Sequence, residues 1–207
     1  MASFYDRFIL PKLLGCACSS SPIMRQRAKV VPRAEGRVLE LGVGMGLNLA
    51  YYDPGKVSAV IGVDPAAELR AAAMAAPRDK RLNVSVEDGD AEALPFDDRS
   101  FDTVVCTFTL CSVCTPAAAL AEARRVLKPG GRLLYCEHGL APDPGVAKWQ
   151  RRIEPIWKRI AGGCHLTRPI SGAIEAAGFK VADMESMYVP KTPKIAAWNE
   201  WGSATPA

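Results

Sequence analysis

Short apolar runs alternate with helix-like stretches along the first two thirds of the chain. The runs have the length and hydrophobicity of buried strands, and they span residues 36–42, 57–64, 82–88, 101–108 and 131–138. Residues 66–76 and 116–128, which lie between them, are rich in strong helix formers. Strands that alternate with helices form βαβ units and a parallel sheet covered on both faces. We therefore predict an α/β fold.

The last third of the chain departs from this alternation. We expect residues 143–163 to form a helix with a kink at Pro155, because proline has no amide hydrogen to donate. A second helix is predicted with Thr167 as its N-cap and Gly178 at its end. Residues 180–189 and 195–204 are typical of a terminal pair of antiparallel strands.

Length and charge limit the classes of function. The chain has 207 residues and a formal net charge of +4, with charged residues spread along it. That length supports one core, and the mild charge does not predict a nucleic-acid partner. The first twenty residues lack the pattern of a signal peptide, and no stretch has the length of a membrane span. We predict a cytoplasmic protein without an integral membrane segment; the sequence leaves its oligomeric state open.

The cysteines form one unusual cluster in sequence. The chain has seven, an odd number that favours reduced thiols over a disulfide framework. Cys106, Cys111 and Cys114 have a C-x4-C-x2-C spacing that plant-type ferredoxins also use. Cys106, however, falls inside a predicted strand, and only Cys136 or Cys164 could supply a fourth ligand. We expect no metal or cluster, with Cys106 acting as a small buried hydrophobe.

A glycine-rich loop, Gly42-x-Gly44-x-Gly46, follows the first predicted strand, and we expect a helix to start immediately after it. Glycines allow a tight turn and let a ligand approach the backbone beside a helix N-terminus. Asp64 ends the second strand, 22 residues after Gly42. Its carboxylate can accept hydrogen bonds from two ribose hydroxyls. The pattern predicts a nucleoside bound above this edge of the sheet.

The loop differs from a dinucleotide-binding loop. A G-x-G-x-x-G motif would place Gly or Ala at position 47, where this chain has Leu47. Glu40 lies two residues before the loop and suits a cationic amino acid better than a pyrophosphate. An acidic loop that contains Asp90 follows the third strand, and an L-K-P-G-G turn precedes the fifth.

Together these motifs, over residues 36–138, resemble those of the class I S-adenosylmethionine-dependent methyltransferases. The resemblance implies a Rossmann-like α/β fold: a seven-stranded, mostly parallel sheet with helices on both faces and an antiparallel last strand. It implies S-adenosylmethionine as cofactor and S-adenosylhomocysteine as product. The glycines would border the methionine part, Asp64 would hold the ribose, and Asp90 and Ala91 would flank the adenine. The implied cofactor-binding residues are Glu40, Gly42, Gly44, Gly46, Asn48, Asp64, Pro65, Asp90, Ala91 and Thr107.

Three further segments resemble a narrower group. They are residues 106–113, the Glu137–His138 pair and residues 149–168. They are similar to the animal alkyl-thiol S-methyltransferases of methyltransferase-like family seven and to their bacterial relatives. This resemblance implies methyl transfer to a small, apolar acceptor, with thiol sulfur favoured. N- or O-methylation of a lipid, quinone-like or other small metabolite, arsenite methylation, and binding of the cofactor without catalysis stay open.

The resemblance also implies one domain over residues 1–207. Residues 1–35 would form a helical segment over the cleft, residues 36–140 the cofactor-binding half, and residues 141–207 the substrate-side helices and terminal strands.

Candidate acceptor-side residues lie mostly beyond the cofactor motifs. His138, at the end of the fifth strand, is the candidate catalytic base for a thiol, or else a histidine hydrogen-bonded at a strand end. Trp149 and Trp157 are predicted to share a helix side and to pack that helix onto the sheet, or to roof the pocket with Phe4, Tyr5 and Phe8. The basic helix that carries them can contact an anionic membrane surface peripherally. The candidate substrate-pocket residues are Tyr5, Phe108, Cys111, Trp149, Trp157 and His165.

Overall fold

A computed structural model describes Gly15 and residues 18–207. Phe4, Tyr5 and Phe8, which are predicted to roof the pocket, lie outside the described residues. The first described helix, α1, spans Ser21–Val30 and is followed by a short 3-10 turn, Val31–Arg33. Helix α1 falls within residues 1–35, and the predicted helical segment over the cleft stays a prediction.

The remaining elements follow the predicted order. The strands are β1 (Gly36–Leu41), β2 (Val57–Val63), β3 (Val84–Glu87), β4 (Phe101–Thr107), β5 (Leu127–His138), β6 (Phe179–Tyr188) and β7 (Trp198–Pro206). The helices are α2 (Ala67–Ala75), α3 (Pro116–Val126), α4 (Pro144–Ile160) and α5 (Ile170–Ala176), with a 3-10 turn at Lys194–Ala196.

The strands form a seven-stranded sheet with the order β3-β2-β1-β4-β5-β7-β6. Neighbouring strands from β1 to β5 pair in parallel, whereas β7 pairs antiparallel with both β5 and β6. The prediction of a mostly parallel sheet with an antiparallel last strand is therefore confirmed. The strand order reverses between β1 and β4, and open sheets of this kind bind ligands where the order reverses, at the carboxyl ends of the strands.

Apolar side chains cover both faces of the sheet. On one face, Val104 and Cys106 pack with α3 and α5 in a cluster that includes Leu120 and Ile174. On the other face, Val105 belongs to a cluster that includes residues of α1 and of the segment after the glycine loop. Consecutive residues of β4 thus point to opposite faces, and both are buried, as expected of a central strand in a parallel sheet.

Two local predictions about helix starts are wrong. No helix follows the glycine loop: residues 47–51 form turns, in which the amide of Tyr51 donates to the carbonyl of Asn48. The side chain of Asn48 is drawn into a buried hydrogen-bond network, which fixes this segment in place. Thr167 does not cap α5, because its hydroxyl contacts Glu154 and Pro169 occupies the N-cap position.

Two other local predictions concern the end of α5 and the course of α4 at its internal proline. Gly178 ends α5 as predicted, with a positive φ of 82° and an amide that donates to the carbonyl of Glu175. Helix α4 continues through Pro155 as a single element.

Within residues 18–207, none of the helices combines the length and the apolar character that crossing a bilayer requires. The single-domain organisation and the cytoplasmic location stay predictions.

Candidate cofactor and acceptor site

The three glycines of the loop after β1 have different surroundings. Gly42, Gly44 and Gly46 all have positive φ, which favours glycine. A Cβ atom on Gly42 would lie 2.6 Å from the Thr109 hydroxyl oxygen, and one on Gly46 would lie 2.8 Å from the Ala76 Cβ. A Cβ on Gly44 would meet only the Gly42 carbonyl oxygen, at 3.8 Å. Gly42 and Gly46 are therefore needed for packing, whereas the space at Gly44 is open and fits a bound ligand.

Asp64 closes this loop from the end of β2. Its carboxylate accepts hydrogen bonds from the Gly44 amide at 3.1 Å and from the Ala66 amide at 2.9 Å. The side chain of Arg70 donates to the backbone carbonyl of Asp64 at 2.8 Å, which further fixes the position. Each carboxylate oxygen retains acceptor capacity, so the arrangement fits the predicted hydrogen bonds to a ribose. Pro65 is exposed beside Asp64.

The predicted adenine-side pair lies in the loop after β3. The Asp90 carboxylate is exposed and accepts a hydrogen bond from the Glu92 amide at 2.9 Å. Ala91 is buried, and it belongs to the apolar cluster on one face of the sheet. The loop is thus anchored by Ala91, and Asp90 stays accessible.

The other three predicted cofactor residues belong to one buried network. Glu40, 2% exposed, accepts hydrogen bonds from the Asn48 amide at 2.9 Å and the Tyr52 hydroxyl at 2.7 Å. Arg27 of α1 donates to the Asn48 side-chain oxygen at 3.0 Å and to the Thr107 hydroxyl at 2.6 Å. Burial raises the pKa of Glu40 to about 7, and the Tyr52 hydrogen bond and the Arg27 charge oppose that rise. The network joins α1, β1 and β4.

The acceptor-side candidates converge beyond β4 and β5. The Cys111 sulfur, the His138 Nε2 and the Cys164 sulfur all lie within 4.8 Å of one another. The distance from His138 Nε2 to the Cys164 sulfur is 2.7 Å, and Cys111 is 2% exposed. The amide of His165 donates to the Cys111 carbonyl at 2.8 Å, which ties the loop after α4 to the loop after β4.

These three groups shift one another's acid–base equilibria. A hydrogen bond with Cys164 lowers the pKa of the Cys111 thiol well below its usual value, against the effect of burial, and the charge of His138 lowers it further. Burial tends to lower the pKa of His138, but the neighbouring Cys111 raises it. The hydrogen bond to Cys111 raises the pKa of Cys164. The three side chains therefore form one interacting acid–base group, in which the pKa of the Cys111 thiol is lowered and the pKa values of His138 and Cys164 are raised.

Glu137 organises the loop that carries Cys111. Its buried carboxylate accepts hydrogen bonds from the amides of Thr109 at 2.7 Å, Leu110 at 3.0 Å and Cys111 at 3.4 Å. Burial raises the pKa of Glu137 to about 8, and the charge of Cys111 adds to that rise. The only signal of this role in the sequence is an acidic residue at the end of an apolar strand.

The remaining pocket candidates separate into inward and outward groups. Trp157 contacts Cys164, whereas Trp149 is 56% exposed and has the Arg152 guanidinium over its ring at 5.6 Å. The prediction that both tryptophans pack α4 onto the sheet is therefore wrong for Trp149. Eight residues of a helix correspond to a rotation of roughly 80° beyond full turns, so the two rings do not share one face.

His165 and Phe108, the last two pocket candidates, each contact a charged side chain. The ring of His165 contacts the Glu154 carboxylate at 2.7 Å, which holds it against α4. Phe108 lies at the end of β4 with a positive φ of 53°, which is rare for a bulky residue, and its ring stacks under Arg27. Arg27 is a functional candidate that sequence reasoning missed, because nothing in the sequence of α1 places it against β4.

Comparisons with known proteins connect this geometry to a family. A family profile described as "Methyltransferase domain" matches residues 39–135. The human "Thiol S-methyltransferase TMT1A" is 31% identical over 175 residues, which are 84% of this chain and 72% of that protein. The chain belongs to the class I S-adenosylmethionine-dependent methyltransferases.

One further relative agrees with membership of the class I methyltransferases, and one solved structure shows the same fold. The rat "Thiol S-methyltransferase TMT1B" is 40% identical over 153 residues, which are 73% of this chain. This chain spans 63% of the length of that rat protein. The solved structure of a geranyl diphosphate methyltransferase in complex with S-adenosylmethionine superposes with a TM-score of 0.71 at 13% identity, covering 89% of this chain and 85% of that one. S-adenosylmethionine, the predicted cofactor, is thus confirmed by the family.

Proposed function

We propose that this protein transfers the methyl group of S-adenosylmethionine to the sulfur of a small, apolar thiol. The observation that carries the proposal is the cluster of Cys111, His138 and Cys164 at the carboxyl ends of β4 and β5. The names of the rat and human relatives support a thiol acceptor.

The open space at Gly44 and the fixed carboxylate of Asp64 support binding of S-adenosylmethionine at the glycine loop. S-adenosylmethionine supplies a methyl group that is already activated by a positively charged sulfur. Glu40 lies in β1, two residues before the glycine loop, and offers a negative charge to the cationic amino acid part of the cofactor. Alignment of the acceptor with the methyl carbon is then the main requirement for catalysis.

The acceptor thiol must lose its proton as its sulfur bonds to the methyl carbon. A free thiol has a pKa of about 8.5, so only a small fraction is ionised at neutral pH. We assign the acceptance of this proton to His138, whose imidazole contacts the Cys164 sulfur and which lies at the same edge of the sheet as the cofactor loop. Trp157, which contacts Cys164, contributes apolar surface beside the cluster.

A lipid or quinone-like acceptor is the second candidate. Trp149 and Ile156 are exposed apolar side chains on α4, and basic residues surround them. Such a face favours contact with an anionic membrane surface, from which an apolar acceptor can enter. Arsenite methylation is a lesser candidate, motivated by the seven cysteines of the chain. Full arsenite methylation by a Cys106→Ser, Cys111→Ser double variant would exclude a requirement for these two thiols.

A transfer screen tests the acceptor class. Protein incubated with methyl-tritiated S-adenosylmethionine is offered small thiols, amines, phenols and phospholipids, and labelled products are separated. We expect label in apolar thiols. Label found only in amines would refute the thiol preference, and S-adenosylmethionine binding with no labelled product in any class would support a non-catalytic protein.

Histidine variants test the assigned base. His138→Ala should lower the turnover of a thiol by about 10²-fold or more, with little change in cofactor affinity. His165→Ala is the matched control, because these are the only two histidines and His165 contacts Glu154 instead. Equal turnover by the His138 variant and the parent protein would remove the assignment.

A further inference from the structure

Three side chains that are distant in sequence meet in one group with metal-ligating chemistry. Cys111 comes from the loop after β4, His138 from the end of β5, and Cys164 from the loop after α4. Two sulfurs and one imidazole nitrogen lie within 4.8 Å of one another, and one pair is 2.7 Å apart. Nothing in the spacing of these residues predicts the group, and no metal is expected here from the sequence.

The separations are close to those around a zinc ion, without matching them in full. Zinc binds cysteine sulfur at about 2.3 Å and histidine nitrogen at about 2.0–2.1 Å in tetrahedral geometry. Two sulfurs and one nitrogen around one such ion are therefore separated by roughly 3.5–3.8 Å. The observed separations, from 2.7 Å up to 4.8 Å at most, bracket that range. The His138 nitrogen and the Cys164 sulfur would have to move about 0.8 Å further apart for both to bind one ion.

The backbone already holds the ligands in position. The Cys111 amide donates to the Glu137 carboxylate, and the Cys111 carbonyl accepts from the amide of His165. His138 lies in β5 opposite Asn199 of β7. The Cys164 amide donates to the Ala161 carbonyl at 3.1 Å. A metal site with ligands on three fixed segments needs little reorganisation to bind its ion.

The donor set selects the class of metal. Thiolate sulfur with imidazole nitrogen suits zinc, whereas magnesium and calcium prefer oxygen ligands. Two thiolates also neutralise the double charge of the ion in a buried site. Cys106 is not part of the group, because its sulfur contacts the Glu137 carboxylate at 3.5 Å.

We propose that Cys111, His138 and Cys164 bind one zinc ion and leave a fourth position open to the acceptor. Catalytic zinc sites keep three protein ligands and one exchangeable position. A thiol that enters this position replaces water, releases its proton to solvent and becomes a zinc-bound thiolate. Its sulfur then forms a bond to the methyl carbon while the bond from that carbon to the sulfonium sulfur breaks. S-adenosylhomocysteine is the leaving group, and the neutral thioether dissociates from the ion.

This role of the fourth position rests on the proposed function, but binding of the ion does not. In the zinc-loaded protein Nε2 of His138 is a ligand, and coordination replaces the uptake of the thiol proton by the imidazole. The chemistry of the open position and the occupancy of the site can therefore be tested separately.

Metal content and cobalt spectra test the site. Protein purified from zinc-supplemented cells with a phosphine reductant should contain about one zinc per chain by mass spectrometry. After removal of the metal by a chelator, added Co²⁺ should give thiolate-to-metal charge-transfer bands that saturate at one equivalent. Zinc well below a tenth of an equivalent, with no such bands on titration, would overturn the proposal.

Ligand variants locate the ion. Cys111→Ser and Cys164→Ser should each weaken zinc binding at least about tenfold and remove or shift the cobalt bands. Cys114→Ser is the matched control, because Cys114 lies on the same loop but is exposed. Zinc affinity and cobalt spectra unchanged in both ligand variants would place the metal elsewhere and refute the site.

A measurement on the parent protein guards against variants that fail to fold. Iodoacetamide labelling with peptide mass spectrometry should show Cys111 and Cys164 protected by zinc and reactive after chelation, with Cys114 reactive in both states. Equal labelling of Cys111 and Cys164 in both states would contradict the proposal.

The catalytic role is separated by the methyl-transfer assay. Zinc bound at the cluster with no methylation of any thiol would refute the proposed function and leave the site intact. Thiol methylation at full rate by the zinc-free protein would refute the role of the ion at the open position.

Discussion

The raised pKa of Glu40 makes cofactor affinity depend on pH near neutrality. Burial raises that pKa to about 7 in the free protein, and both carboxylate oxygens are hydrogen-bonded, to Asn48 and to Tyr52. A bound cationic amino group favours the ionised carboxylate, so the pKa of Glu40 falls in the complex. The complex then holds fewer protons than the free protein. Affinity must therefore rise with pH until Glu40 is fully ionised in the free protein.

The size of the effect follows from the ionised fraction. With a pKa of about 7, Glu40 is ionised in about 9% of free molecules at pH 6 and in half of them at pH 7. If the ionised form binds, the dissociation constant of S-adenosylmethionine falls about fivefold between these pH values, or about 1 kcal/mol. Above pH 7 the affinity for S-adenosylmethionine rises by less than a further factor of two.

Glu40→Gln removes the titration and keeps the contacts. The new amide can accept from Asn48 and donate to the Tyr52 hydroxyl, so we expect the fold to persist. Affinity should be nearly constant from pH 6 to pH 7.5, and at pH 7.5 it should be weaker by about tenfold through loss of a charged partner. Tyr52→Phe should move the midpoint of the rise in cofactor affinity to higher pH, because the Tyr52 hydrogen bond lowers the pKa of Glu40.

Isothermal titration calorimetry at constant ionic strength measures these affinities. The α-amino group of the cofactor has a pKa of about 7.7–8.0 and stays mostly charged over this range. Equal affinity of the parent protein at pH 6 and pH 7.5 would refute the reasoning. So would the same pH dependence in the Gln variant, since another group would then be titrating.

Three further substitutions test other parts of the site. Asp64→Ala should weaken S-adenosylmethionine binding by tenfold or more, because the hydrogen bonds expected from the ribose and those from the loop are lost; unchanged calorimetric affinity would reject the ribose role. Gly44→Ala should lower the unfolding free energy by about 1 kcal/mol, because its φ is positive, and should strongly reduce cofactor affinity. Gly42→Ala should lower the melting temperature more than Gly44→Ala does, because its Cβ collides with Thr109. Glu137→Ala should lower the unfolding free energy in urea by about 3 kcal/mol, because backbone amides lose their buried acceptor, and a loss below 1 kcal/mol would show that water replaces it.

Features that depend on neighbouring residues could be read from the sequence. Apolar runs predicted the strands, and glycines after β1 predicted the ligand loop, because both signals reflect local periodicity and local backbone freedom. Gly178 ended α5 as predicted for the same reason. The helix expected after the glycine loop failed, since the contact that decides this segment, between Asn48 and Glu40, is made by tertiary structure.

Features that depend on strand order could not be read this way. Arg27 reaches Thr107 only because α1 packs over the face that carries β4, and no local pattern shows that contact. The eight-residue spacing puts Trp149 and Trp157 on different sides of α4, but only the packing of α4 decides that Trp149 is exposed and that Trp157 contacts Cys164.

The sequence by itself determined the elements, the glycine loop and the acidic residue that ends β2. Only the tertiary structure joined Cys111, His138 and Cys164, because their meeting depends on β5 lying beside β4 and on the backbone contact between His165 and Cys111. Local propensity acts over a few residues, whereas the position of a side chain in a site is set by long-range pairing that no short pattern contains.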